Sequence, residues 1–238
     1  MAGPFAHITL VDTLCLNARA LETLGIDSDA IKKSLGKFAK FTELGAISPD
    51  CPYLKLVSGD AASWANVMHY WKTGDFIRSA IPYIYGRKWS SSDTQKCIAW
   101  LFGYAAHVVT DCTVHPVINR KVGPYEQNKT QHRLCEMNQD VYIFHKLNGQ
   151  FVETAEYIRR CGISQCKDLE DDEKLDPAVR GLWRHCLTAI TETPVRMDKK
   201  KAPEKDPTKS GDTKSGDRHA FSQTAYGPGK SESVPVFR

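Results

Sequence analysis

The segment GYAAHVVTDCTVHP, residues 103–116, constrains this chain more than any other. It carries His107, Asp111 and His115, each four residues after the last. At about 100° per residue, that spacing places the three side chains in one narrow stripe of a helix. A second pair at the same spacing follows, His132 and Glu136. Packing explains such pairs poorly, because an imidazole or carboxylate taken from water needs a partner. Imidazole nitrogen with carboxylate oxygen is a ligand set that suits zinc. The spacing therefore predicts a metal cluster, and such a cluster points to hydrolysis.

The 238 residues suffice for one domain of ordinary size and an appendage, and a 41% hydrophobic content can fill a core. The net charge of +4 is too mild to argue for nucleic acid. The longest strongly apolar run, 98–109, is too short to span a bilayer and contains His107. The N-terminal residues lack the basic-then-apolar pattern of an export leader. The expectation is a cytoplasmic protein, or one exported without a cleaved signal peptide. None of the eight cysteines forms a C-x-x-C pair, so free thiols are expected and a thiolate zinc site is not.

Residues 1–196 read as the folded unit. From Met197 onward, apolar residues become sparse and TKSGD occurs twice in tandem, at 208–212 and 213–217. A segment of this composition buries too little apolar surface to offset its ordering entropy, so 197–238 is expected to be a disordered tail. In the body, apolar residues recur at helical spacing over 8–24 and 130–160. Shorter helices are expected from Asp27 to Leu35, over 61–71, 75–81 and 94–115 (stopped by Pro116), and over 177–191 behind Pro177. Residues 45–59 and 120–129 read as loops. Two-residue alternation is scarce, so the fold class is all-α, a bundle-like domain with its site among facing helices.

Three further residues join the candidates: His7, Asp50 and His69. Each alone has a bland reading, a core histidine or a turn aspartate. In order, however, His7, Asp50, His69, His107, Asp111, His115, His132 and Glu136 resemble the ligand series of the zinc-dependent phospholipase C family. The context agrees: GAISPD before Tyr53, and GYAAHVVTD leading into His115-Pro116. The same order is similar to that of fungal zinc-dependent single-strand nucleases. The resemblance covers about residues 7–140.

The resemblance implies an all-α fold holding two to three zinc ions. Asp50, His69, His107 and Asp111 would hold one. Asp111 would bridge to a second, held by His7 and the N-terminal amine. That amine would belong to Ala2 once Met1 is removed. His115, His132 and Glu136 would hold the third. Asp50 is the candidate general base. The chain departs from the family's familiar members in lacking an N-terminal Trp ligand and in the short step from Asp111 to His115.

The expected activity is a phosphodiester hydrolase, foremost a phospholipase C releasing diacylglycerol and a phosphorylated headgroup. The expected partner is a phospholipid, met through transient contact with a membrane surface. Tyr53, Trp64, Tyr70, Trp71 and Tyr104 flank the ligands. They suit a quaternary ammonium by cation–π contact, or nucleobases by stacking, or a core; for Trp64 the core is expected. A nuclease or nucleotidase with the same chemistry is the alternative, and a non-catalytic helical binding module the third reading. Cations near the ligands are few: Arg120, Lys121, Lys129 and Arg133.

Overall fold

The computed structural model describes residues 3–17, 29–54, 61–148 and 163–192. The expectations for Ala2, for 18–24 and 149–160 as helix, and for the tail 197–238 lie outside these residues. Eight α-helices run through the described residues: α1 Pro4–Leu16, α2 Asp29–Lys37, α3 Ala39–Ile47, α4 Ala61–Asn66, α5 Thr73–Tyr85, α6 Ser91–Val122, α7 Lys129–Asn148 and α8 Pro177–Glu192. The only β-pairing among them is an isolated bridge between Lys167 and Leu175. The all-α expectation is met.

Local chemistry explains where the long helices begin and end. Ser90 caps α6 reciprocally, accepting the Asp93 N–H at 3.1 Å and donating its hydroxyl to Asp93 Oδ2 at 2.8 Å. Arg120 and Lys121 occupy its last turn, where the helix dipole favours cations, and Gly123 follows at φ 89°. Asp176 caps α8, accepting the N–H groups of Ala178 and Val179 at 3.0 and 3.3 Å. It also accepts Lys96 Nζ at 2.7 Å, tying the start of α8 to α6.

Three expectations about boundaries are corrected. Pro116 does not stop α6, which continues to Val122. Proline removes one helical hydrogen bond, but α6 packs against α1, α3, α7 and α8, and that contact outweighs the local cost. The expected loop over 45–59 begins as helix, since α3 reaches Ile47 before a turn and a 3-10 segment at Cys51–Leu54. The loop expected over 120–129 shrinks to a short connection around a 3-10 turn, Tyr125–Gln127.

The core lies between α3, α5, α6 and α8. Trp100, Tyr104 and Phe76 are fully buried, and the rings of Phe76 and Tyr104 stack at 4.3 Å. Their polar atoms are satisfied: Trp100 Nε1 donates to Ser48 Oγ at 3.0 Å and Tyr104 OH to the Met68 carbonyl at 3.1 Å. Tyr104 is thus a core residue and not part of a ligand cradle. Among the described residues, α6 alone is by length and composition long and apolar enough to cross a membrane, with 44% of its apolar window buried. Its buried Trp100, Tyr104, His107 and Asp111 mark it as the central helix of this fold. Among the described residues the cysteines are free thiols, as expected.

The backbones of α3 and α6 approach each other closely. A Cβ on Gly103 would fall 2.0 Å from the Thr42 carbonyl oxygen, and one on Gly45 would fall 2.0 Å from that of Trp100. Only glycine allows two helix backbones to touch here. Gly103→Ala is expected to destabilise the protein by about 3 kcal/mol or more, read as a fall in thermal midpoint. Gly36→Ala, whose Cβ would meet nothing within 4 Å, is the control and should leave the midpoint unchanged or slightly raised.

Candidate metal centre

That contact aligns the first ligand. The α3 carbonyl of Ala46 accepts His107 Nδ1 at 2.6 Å. His69 is oriented in the same way, its Nδ1 donating to the Ala65 carbonyl at 2.7 Å. A carbonyl only accepts, so both Nδ1 atoms carry a proton, and in the neutral imidazole both Nε2 atoms present lone pairs. Those two lone pairs face each other at 3.0 Å, with Asp50 Oδ1 3.1 Å from His69 Nε2. Lone pairs and a carboxylate at such distances repel unless a cation lies among them.

Asp111, on α6, faces four histidines. Its Oδ1 lies 3.5 Å from His7 Nε2 and 3.5 Å from His115 Nε2. Its Oδ2 lies 3.5 Å from His107 Nε2 and 3.9 Å from His69 Nε2. Zinc bonds of about 2.0–2.1 Å put ligand atoms about 3.3 Å apart around a tetrahedron. The separations here bracket that edge. Two groups have ligand atoms close enough for one ion each: His7, His107 and Asp111, and Asp50, His69 and His107.

The chemistry of the donor set fits a metal as well as its spacing does. The His7 side chain is fully buried and stacks on His107 at 3.9 Å. Neither of its ring nitrogens has a hydrogen-bond partner among the described residues, and nor does His115 Nε2. A buried imidazole left in that state costs free energy that a bound cation would recover. Burial pushes the His115 imidazole down to about 4, so it is neutral and keeps a lone pair at neutral pH. Burial alone would push the Asp111 and Asp50 carboxyls up. The surrounding imidazoles, His107 and His7 at Asp111 and His69 and His107 at Asp50, outweigh it and hold both below the ordinary carboxylate range.

The last three expected ligands are arranged more openly. His132 Nε2 donates to the Gly123 carbonyl at 2.7 Å, which leaves Nδ1 with the lone pair. His115 and His132 line one cavity of about 650 Å³. Burial raises the Glu136 carboxyl. Among the described residues His115, His132 and Glu136 do not converge as tightly as the two groups around His107. His115 instead sits beside Asp111 and on the same oxygen as His7. Of the flanking aromatics, Trp64 is 42% exposed, against the expectation of a core residue. The side chain of Tyr53 lies outside the described residues.

One residue of this centre escapes sequence reasoning. Asp140, on α7 and 5% exposed, accepts the N–H groups of Phe5 at 3.1 Å and Ala6 at 3.0 Å. It thereby caps α1 from another helix, because the N-cap residue, Gly3, has no side chain to do so. A Cβ on Gly3 would lie 1.9 Å from Asp140 Oδ2. Burial pushes the Asp140 carboxyl up to about 6, opposed by the two N–H groups. The available signal was its position four residues after Glu136, on the stripe of His132 and Glu136.

Asp140→Asn turns one acceptor towards α1 into a donor. It is expected to cost about 1–2 kcal/mol in thermal or denaturant unfolding. Because α1 carries His7, elemental analysis should also find less zinc per chain. Unchanged zinc with lowered stability would show that the cap supports the fold alone.

The model of the zinc dependent phospholipase C family matches residues 7–191. No curated protein and no solved structure matches the chain in the corresponding comparisons. The matched span contains His7, Asp50, His69, His107, Asp111, His115, His132 and Glu136, of which the fold brings His7, Asp50, His69, His107 and Asp111 into two close groups. The chain belongs to the zinc-dependent phospholipase C family.

Proposed function

We propose that this protein hydrolyses the phosphodiester of glycerophospholipids, releasing diacylglycerol and a phosphorylated headgroup. Its centre would hold two to three zinc ions through His7, Asp50, His69, His107, Asp111, His115, His132, Glu136 and the amine of Ala2. The observation that carries this reading is Asp111, with histidine nitrogens ranged on both of its oxygens at 3.5–3.9 Å. A carboxylate so placed can bridge two ions. Zinc held there supplies Lewis acidity at phosphoryl oxygens and brings the pKa of a water towards neutrality.

The residues have distinct tasks. His69 and His107 are held in one tautomer by backbone carbonyls, so their Nε2 lone pairs need no reorganisation. Asp50 retains 20% side-chain exposure against 9% for Asp111, which makes it the carboxylate that water can reach. Its ionised form can take a proton from that water, the role of general base. No side-chain nucleophile is required.

The cavity beside His115 and His132 has the size of a small-molecule site. Tyr70, Trp71 and Tyr125 line it, and among the described residues Lys129 is its one lysine or arginine, 3.3 Å from Glu126. A single, paired cation favours a lipid headgroup over a polynucleotide, which needs cations spaced along its backbone. The second reading, a nuclease or nucleotidase, draws on the same aromatics as stacking platforms.

The purified protein is expected to contain two to three zinc ions and to hydrolyse dihexanoyl phosphatidylcholine, with chelation abolishing turnover. Asp111→Asn should lose turnover and at least one ion, whereas His145→Ala, outside the centre, should lose neither. Single-stranded DNA should be cut far more slowly. Salt-sensitive DNA cleavage without phospholipid turnover would transfer the centre to the second reading, and a protein without zinc would remove the catalytic reading altogether.

A further inference from the structure

The segment that supplies His69 also produces an unusual surface. Val67–Trp71 forms a π-helical turn, closed by the Lys72 N–H on the Val67 carbonyl at 3.3 Å. Such wide turns inside α-helical runs occur mostly where function needs them. This one points Met68 and the His69 ring inward, both at 0% exposure, and leaves the next two residues, Tyr70 and Trp71, 51% and 60% exposed. Both line the cavity beside His115 and His132, as does Tyr125, itself 41% exposed. Trp64, seven residues before Trp71 on the same helical run, is 42% exposed.

Among the tryptophans this exposure is selective. Of the chain's five tryptophans, Trp100 is fully buried, and Trp89 and Trp183 are partly buried against the core. The two exposed ones lie in this one run, within two residues of Asn66 and at Trp71, both of which line the cavity. Tryptophan and tyrosine have an apolar body and a polar tip, which suits the headgroup level of a bilayer.

We propose that Trp64, Tyr70, Trp71 and Tyr125 form a membrane-docking rim that seats the cavity mouth on a phospholipid surface. The inference rests on the lipid reading above. A diacylglycerol moiety cannot leave the bilayer cheaply, so the phosphodiester must reach the metals while its chains stay in the membrane. A rim of aromatics continuous with the cavity lets the mouth meet the headgroups. Docking would then be driven by aromatic burial and depend little on salt, since the chain's net charge is only +4.

The test uses the zinc-loaded full chain and vesicles of a phosphonate analogue of phosphatidylcholine, which binds without being cleaved. Wild-type protein should co-sediment with the vesicles, with a blue shift in tryptophan emission and quenching by brominated chains. Trp64→Ala and Trp71→Ala should each weaken partitioning by about tenfold, and the double variant should abolish the blue shift. Hydrolysis of natural vesicles should fall in parallel. Trp64 does not line the cavity, so Trp64→Ala should keep its turnover of monomeric dihexanoyl phosphatidylcholine. Circular dichroism and zinc content matched to wild type establish that the variants are folded.

Turnover of the monomeric substrate with vesicle binding equal in all variants would overturn the rim and leave the hydrolase reading intact. Vesicle binding through the tryptophans without turnover of any phospholipid would uphold the rim and remove the hydrolase reading. A wild-type dimer in light scattering that the Trp71→Ala change converts to monomer would assign the rim to a second copy of the chain and overturn the proposal.

Discussion

The contact between the backbones of α3 and α6 at Gly45 and Gly103 is the constraint on which the centre depends. It places the Ala46 carbonyl where it can accept His107 Nδ1 at 2.6 Å. That hydrogen bond sets the tautomer of His107, and the tautomer turns its Nε2 lone pair towards His69 and Asp111. A shift of one side-chain layer between these helices would separate the α3–α4 ligand, Asp50, from the α6 ligands. α6 continues through Pro116 to Val122, which keeps His115 one helical turn beyond Asp111 and 3.5 Å from its Oδ1.

Around this frame the electrostatics are mutually dependent. Two carboxylates sit among four buried or half-buried histidines, and no member is comfortable alone. Asp111 is held ionised by its histidine neighbours, while burial keeps His115 neutral. The set therefore presents two formal negative charges and several lone pairs to one small volume. A divalent cation balances that arrangement, and protons balance it less well, because the Nε2 atoms of His69 and His107 are too close to carry one each. Asp140 extends the dependence to α1, since its cap on Phe5 and Ala6 fixes the helix turn that carries His7.

Much of this was legible in the chain because the helices that carry the candidate ligands repeat one spacing. His107, Asp111 and His115 share a stripe on α6, and so do His132 and Glu136 on α7, as four-residue steps on a helix require. The helix over 177–192 was readable from Asp176-Pro177. Less legible were features set by contact across the fold. Pro116 reads as a stop by its own chemistry and is overridden by packing. Trp64 and Tyr104 are equally aromatic in the sequence, yet Trp64 on α4 is exposed and Tyr104 on α6 is core, a difference set by which helix faces meet across the fold. Asp140 looks like an ordinary acidic residue of α7, and its role exists only because α1 arrives without a cap of its own.

In the proposed centre Asp111 would stand between two zinc ions. Anomalous diffraction at the zinc absorption edge, on crystals of protein never exposed to chelator, tests it most directly. The account predicts a zinc peak on each side of the Asp111 carboxylate. One should lie against His69, His107 and Asp50, the other against His7, with the two about 3.5–4 Å apart. A single peak, or peaks that leave Asp111 outside their coordination, would contradict it.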